Sequence, residues 1–346
     1  MTRAPRPRRI LICEDSPAYA AGLTRFLQSD DAIEVLGVAP TGEQAIADVS
    51  RLRPDLLTVD MQLPDMDGLA VVRSVMADSP LPIVVLSAHV AKGSERAAEA
   101  LAAGALDIVP KDSLRLDRLD DVWAQAMRSR LRRLASIRVA RKIARPAPQR
   151  RAAVPVREAR VIGIGASTGG PPALETVLGA LKADFTVPVL IVQHMAPGFT
   201  EGLARWLDSK LPVPVRVAAE GELARPGVWF APDEAHLQIT PSMRFSLDRE
   251  TVAQHRPSVD SLLTSIADSL GADGVGVVLT GMGRDGAEGA AAIRRAGGTL
   301  IVQDEASSVV YGMPQAAAHA GADLELSPGE IGEVLSAMRA PARSAA

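Results

Sequence analysis

Aromatic residues are scarce in this 346-residue chain, at 3% of the total. Single-stranded nucleic acid is gripped largely by base stacking on aromatic rings, so that class of partner is disfavoured. Cysteine is rarer still. Cys13 alone cannot close an internal disulfide, and its position in an apolar run fits a reduced, cytoplasmic setting. No apolar run approaches the ~20 residues that span a bilayer, so no direct membrane insertion is expected. The start, MTRAPRPRRILIC, runs from basic residues through a short apolar stretch straight into Glu14-Asp15, which is not the pattern of a signal peptide. Net charge is also small, at −3 with 47% hydrophobic and 23% charged residues. What remains is a globular protein long enough for two domains.

The stretch the chain is organised around is VIGIGASTGGPPAL, Val161 to Leu174. Apolar residues and glycines, then a small-residue turn with one serine, then Pro-Pro, read as a buried strand, a tight turn and a helix N-terminus. Gly165 to Gly169 matches G-x-S-x-G, the turn that presents a serine hydroxyl at the carboxyl end of a sheet. The helix that follows aims positive dipole at whatever lies over Ser167. Two other readings compete. The glycines can cradle a dinucleotide phosphate, or the turn can be close packing with an incidental serine. A base and an acid elsewhere decide between them.

From Arg9 to about Met127, strands expected at Ile10–Cys13, Val35–Val38, Leu56–Val59, Ile83–Leu86 and Ile108–Val109 alternate with amphipathic stretches such as Gly42–Leu52, Gly68–Met76 and Ser94–Ala103. Five β-α units in order predict a doubly wound parallel sheet, in which function gathers at the carboxyl strand ends. Those ends carry Glu14-Asp15, Asp60, Ser87 and Pro110-Lys111. Converging carboxylates repel unless a divalent cation joins them, and hard oxygen donors suit Mg²⁺. With a lysine and a hydroxyl to hold an oxyanion, the set suits phosphoryl transfer to Asp60. Any one acidic strand end is ordinarily a cap or a solvated turn; the full set, in register over five strands, is far more specific.

This third of the chain resembles the receiver domains of bacterial response regulators, on Glu14, Asp15, Asp60, Ser87, Lys111 and the turn MQLPDMDGL, where Leu63 replaces the commoner Met. The resemblance implies Asp60 as phosphoacceptor and Ser87 and Lys111 as phosphate contacts. It implies Mg²⁺ on Glu14, Asp15, Asp60 and the Gln62 backbone carbonyl. Ile108 and Val109 occupy the strand where receivers often carry an aromatic switch, so coupling is expected through Ser87 and the loop at Ala88-His89. His89 itself reads as a surface histidine rather than a metal ligand.

From Arg128 to Arg160 the chain carries twelve Lys or Arg and one acid, Glu158, with Pro146, Pro148 and Pro155. Its first part reads as an extension of the preceding helix and the rest as linker. No element for reading nucleic acid follows, so a solvated tether is preferred to a nucleic-acid arm. The expected organisation is a first domain over residues 8–127, a linker over 128–159 and a second domain over 160–341.

In the second domain Val187–Val192 reads as a strand ending in Gln193-His194-Met195, with a helix at Phe199–Asp208. The runs Val228–Pro232 and His236–Ile239 suggest an antiparallel excursion. Helix Ser258–Leu270, strand Val275–Leu279, helix Ala290–Ala296 and a last strand Thr299–Val302 complete a parallel-dominated α/β domain with a small hairpin. A hydrolytic serine needs a base and an orienting acid. Of His194, His236, His255 and His319, His194 holds the strand-end position. Asp285 stands in the glycine-rich loop TGMGRDG, at another strand end. The dinucleotide reading weakens, since its second strand should end in Asp or Glu for the ribose hydroxyls.

GASTGG, QHMAPGF, HRPSVD, LTGMGRDG and QDEASSVVYGMP together resemble the catalytic domain of chemotaxis protein-glutamate methylesterases. The resemblance implies Ser167 as nucleophile, His194 as base, Asp285 as its partner, and an oxyanion hole from backbone N–H groups at Thr168 and Met282. It implies hydrolysis of glutamate γ-methyl esters on methyl-accepting chemoreceptors, with deamidation of receptor glutamines. A chemotaxis histidine kinase would be the phosphodonor, with Mg²⁺ for phosphorylation and no cofactor for ester hydrolysis. A regulator acting by binding alone is the competing class, which ester hydrolysis by the second half separates.

Overall fold

The computed structural model describes residues 6–88, 90–119, 121–137, 139 and 158–341. His89 and nearly all of the basic stretch after residue 137 lie outside the described residues. The chain divides into two compact units, residues 1–145 and 146–346.

The first unit alternates β1 (Arg8–Cys13), α1 (Pro17–Gln28), β2 (Ile33–Ala39), α2 (Gly42–Leu52), β3 (Leu56–Asp60), α3 (Gly68–Asp78), β4 (Ile83–Ser87), α4 (Val90–Ala102), β5 (Asp107–Pro110) and α5 (Val122–Leu134). The strands form one sheet in the order β2-β1-β3-β4-β5, every pairing parallel. β3 and β4 are buried along their whole length, as strands covered by helices on both faces must be. Ser16, Thr41, Asp67 and Asp121 begin α1, α2, α3 and α5, each accepting from the N–H three residues on. α5 continues past residue 127 to Leu134, so the first part of the basic stretch extends this helix. Arg128 is buried against the Phe26 ring, and Arg130 pairs at 2.7 Å with buried Asp107. The first arginines of the basic stretch are therefore part of this unit's packing.

The second unit contains β6 (Val161–Ala166), α6 (Gly170–Gly179), β7 (Pro188–Gln193), α7 (Thr200–Asp208), β8 (Val215–Val217), β9 (Gly227–Phe230), β10 (His236–Ile239), β11 (Phe245–Asp248), α8 (Val259–Leu270), β12 (Gly274–Val278), α9 (Ala287–Arg295), β13 (Thr299–Gln303), α10 (Met313–Ala318), β14 (Leu324–Leu326) and α11 (Pro328–Ala337). The sheet order is β14-β13-β12-β6-β7-β9-β8, all parallel, beside a separate antiparallel pair β10-β11. Two expectations are corrected. The run at Val228 joins the main sheet parallel to β7, and His236–Ile239 pairs instead with Phe245–Asp248. Thr299–Val302 is not the last strand, because β14 adds a further edge.

From β6 the chain adds β7, then the edge strand β8 and, between those two, β9, before it returns through β12 to build the other side. The order therefore reverses between β6 and β12. In doubly wound sheets the crevice opens at the carboxyl ends of such a pair. α8 lies on the β6 face. A Cβ on Gly165 would come within 2.2 Å of Val259, so this glycine makes room for a helix rather than for a phosphate.

Candidate functional site

In the second unit, β6 ends at Ala166 and α6 starts at Gly170, so Ser167 sits on the expected strand–turn–helix. Gly169 closes the turn at φ 77, a backbone region that glycine enters without strain, and Val309 fills the space where a Cβ would point. The Ser167 N–H donates to the Thr280 carbonyl at 3.0 Å, and its own carbonyl accepts from the first helical N–H, Gly170, at 2.8 Å. Thr280 follows β12, so these bonds tie the serine turn to the strand across the reversal point. Thr280 Oγ1 also donates to the Thr168 carbonyl at 3.0 Å. Met282 lies two residues beyond Thr280, in the loop whose Gly281 carbonyl accepts from Gly312 and Met313.

His194 heads the loop after β7, its N–H bonded to the Ala166 carbonyl at 2.9 Å. Its Nε2 lies 2.8 Å from Oδ2 of Asp285. The approach is oblique, and both buried ring nitrogens lack an aligned hydrogen bond, so none links His194 to the Ser167 hydroxyl here. The His255 ring stacks on His194 with centroids 4.4 Å apart. His236 is elsewhere employed: its Nδ1 accepts from Ser258 N–H and its Nε2 contacts the Thr251 carbonyl. His319 caps α10 and is exposed. Of the histidines weighed, His194 is the one paired with Asp285.

Asp285 has a seat that the sequence reading missed. Its carboxylate accepts from Ser258 Oγ at 2.9 Å, Val259 N–H at 2.9 Å and Asp260 N–H at 3.0 Å, the opening turn of α8. Burial alone would raise its pKa. The His194 ring and those N–H groups outweigh burial and hold the carboxyl well below the usual range. The signal was present in HRPSVD, where Ser258 precedes an apolar-periodic helix.

Neighbouring Asp260 is driven the other way. Burial, then Asp285 and Glu288, push it up to about 6 from an ordinary 3.8, against a hydrogen bond from Gly289 N–H. Between those values the folded protein holds more protons than the unfolded chain, so stability falls as pH rises through the window. Asp260→Asn keeps an acceptor for Gly289 and removes the charge. It should gain stability over the parent at about pH 7 and show no gain at about pH 4. Thermal unfolding at both pH values checks this, and an equal shift at both contradicts it.

In the first unit, Glu14, Asp60 and Ser87 are buried at the carboxyl ends of β1, β3 and β4. The carboxylate oxygens of Glu14, exposed Asp15 and Asp60 lie within 4.8 Å of one another. Lys111 follows β5, with Nζ 2.7 Å from both Glu14 Oε2 and Asp60 Oδ2. Burial raises the Glu14 pKa, with Lys111 offsetting part of the rise. Burial pulls the Lys111 pKa down, but Asp60 and Glu14 more than reverse that. The Gln62 N–H donates to Asp60 Oδ1 at 3.2 Å. Glu14 Oε2 is buried and meets the ammonium obliquely, without an aligned hydrogen bond. A cluster of hard oxygens with an under-satisfied buried carboxylate fits a divalent cation.

Comparison with known proteins decides the family. Residues 162–335 match the model of the CheB methylesterase family, and residues 10–122 match the response regulator receiver domain. The protein-glutamate methylesterase/protein-glutamine glutaminase 2 of Anaeromyxobacter dehalogenans is 42% identical over 337 residues, covering 96% of this chain and 97% of its own. The chain belongs to the CheB methylesterase family. A second CheB-family relative, protein-glutamate methylesterase/protein-glutamine glutaminase 4 of Myxococcus xanthus, is 42% identical over 322 residues, 89% of this chain and 90% of its own. The crystal structure of the Thermotoga maritima CheB methylesterase catalytic domain matches with a TM-score of 0.50 and 38% identity, over 52% of this chain and 98% of that one. The receiver that accompanies this CheB methylesterase domain is a phosphorylation module, typically Mg²⁺-dependent. Among the described residues, no helix is long and apolar enough to cross a membrane.

Proposed function

We propose that this chain is a phosphorylation-activated serine hydrolase that removes glutamate γ-methyl esters from chemoreceptors and deamidates receptor glutamines. The observation that carries the reading is convergence: Ser167, His194 and Asp285 follow β6, β7 and β12, three adjacent strands meeting at the reversal point. Ser167 Oγ attacks the ester carbonyl as His194 takes its proton, and Asp285 steadies the resulting imidazolium. The Thr168 and Met282 N–H groups receive the oxyanion. Methanol leaves with the proton from His194. A water, deprotonated by the same ring, then frees the glutamate carboxylate. With a glutamine substrate ammonia leaves instead. Catalytic hydrogen bonds in a ligand-free site are often long and tighten with substrate, which accommodates the absent Ser167–His194 bond.

In the receiver, Glu14, Asp15, Asp60 and the Gln62 carbonyl would hold Mg²⁺, which when bound neutralises the incoming phosphoryl charge. Asp60 accepts the phosphoryl group, and Ser87 and Lys111 contact its oxygens. A chemotaxis histidine kinase is the donor, and the setting is cytoplasmic; family membership supports the first and the single free Cys13 the second. The test is methanol release from methylated receptor with and without a small-molecule phosphodonor and Mg²⁺. The parent should accelerate on phosphorylation. Asp60→Asn cannot form the acyl phosphate and should remain at the unstimulated rate. Stimulation of Asp60→Asn would move the phosphoacceptor elsewhere.

A further inference from the structure

Beneath the serine turn lies a buried amide that no step of the chemistry uses. Gln193, the last residue of β7, is 5% exposed. Its Nε2 donates to the carbonyls of Ser167 and His194, each at 2.9 Å. Two carbonyl acceptors fix the orientation, since only the NH₂ end of the amide can face them. The other end, Oε1, is buried without a partner, pressed against the start of α6 where a Cβ on Gly170 would come within 2.0 Å. An unpaired buried acceptor is destabilising, and methionine would fill the same length without it. Packing alone therefore does not account for an amide here. What the amide adds is a bridge between two backbone carbonyls.

The bridge acts where the sheet stops holding. The His194 N–H to Ala166 carbonyl bond is the last direct backbone bond between these two strand ends. One residue further on, Ser167 enters its turn and His194 its loop. On the opposite flank the turn is gripped through Thr280, whose N–H is held by buried Gln303 at 2.8 Å. That grip reaches Ser167 and Thr168 but not His194. We infer that Gln193 is a positioning residue, a two-pronged donor that sets the separation of Ser167 and His194 from the backbone side. The inference rests on the reading of those two residues as nucleophile and base.

The test uses the full chain with phosphodonor, measuring kcat and KM for methanol release from methylated receptor. Gln193→Met matches the length and removes both donors. A small misplacement of reacting groups can cost on the order of 100-fold, so kcat should fall about 10- to 100-fold. KM should stay within about two-fold, because no substrate contact changes. Gln193→Glu supplies the contrast. Its carboxylate repels both carbonyls, whereas the neutral acid donates one hydrogen bond. Its kcat relative to the parent should therefore rise as pH is lowered from about 8 to about 6, within the range where circular dichroism shows both proteins folded. A role in packing alone predicts a near-parental Gln193→Met and a flat Gln193→Glu ratio, and either result overturns the inference. If Gln193→Met does not fold, the pH ratio of Gln193→Glu decides by itself. Ser167→Ala is run alongside. Methanol release by Ser167→Ala at the parental rate removes the underlying reading. An inert Ser167→Ala beside unchanged Gln193 variants removes only the positioning role.

Discussion

Ser167→Ala is expected to abolish methanol release from methylated receptor while leaving the fold intact. The bonds that hold this turn run through the backbone: the Ser167 N–H to Thr280, and its carbonyl to Gly170 and Gln193. Alanine keeps all of them. What goes is the oxygen that carries the acyl group. Removing a member of a serine triad leaves only the ~10³–10⁴-fold over water that binding and the oxyanion hole provide. Loss of the nucleophile in a comparable hydrolase costs about 10⁶-fold in kcat. Rate and thermal midpoint should be measured on the same preparation. Parental turnover by Ser167→Ala would end the serine-hydrolase reading, and loss of turnover with collapse of the fold would not support it.

Asp285→Asn has the next largest expected effect, and it differs in kind. The aspartate spreads its oxygens over Ser258 Oγ, the Val259 and Asp260 N–H groups, and the His194 ring. An asparagine has one oxygen for these duties, and its NH₂ must face either the α8 N–H groups or the imidazole. Turnover should fall about 10⁴-fold, as when a triad aspartate becomes asparagine. Stability should also drop, by about 1–3 kcal/mol for the unmatched donors. His194→Ala should lose a comparable factor in rate. The double variant should be little worse than the poorer single one, because the two residues act as a unit. Losses that multiply would mean Asp285 only shapes its loop.

The elements that sequence exposed best are those with strong local patterns. β1, β3, β6, β7 and β12 are largely buried apolar runs; Glu14, Asp60, Ser167 and His194 stand at or just after their ends, and Asp285 in the loop that follows β12. Short runs were harder to place. Gly227–Phe230 and His236–Ile239 are each four mostly buried residues, and periodicity does not tell a parallel partner from an antiparallel one at that length. Three-residue strands such as β8 and β14 fall below any periodic window. In the site, Gln193, Gln303 and Ser258 escaped notice for one reason. Each acts on groups distant in sequence or on plain backbone, and a polar side chain at a strand end or a helix start gives no address for its partner.

The bonds joining the serine turn to Thr280 span more than a hundred residues, 112 between Thr280 and Thr168. β6 and β12 are immediate neighbours in the sheet, yet β7, β8, β9, the β10-β11 pair and α8 are all laid down between them. Ordering so long an intervening segment carries a substantial entropic cost, which packing of the whole sheet must offset. Contacts of such large sequence separation slow folding. While the chain is emerging the serine turn therefore has its local partners, Gly170 and Gln193, but not Thr280, and a chain that ends before β12 carries the nucleophile without Asp285. In this architecture Ser167, His194 and Asp285 come together only once β12 has joined β6.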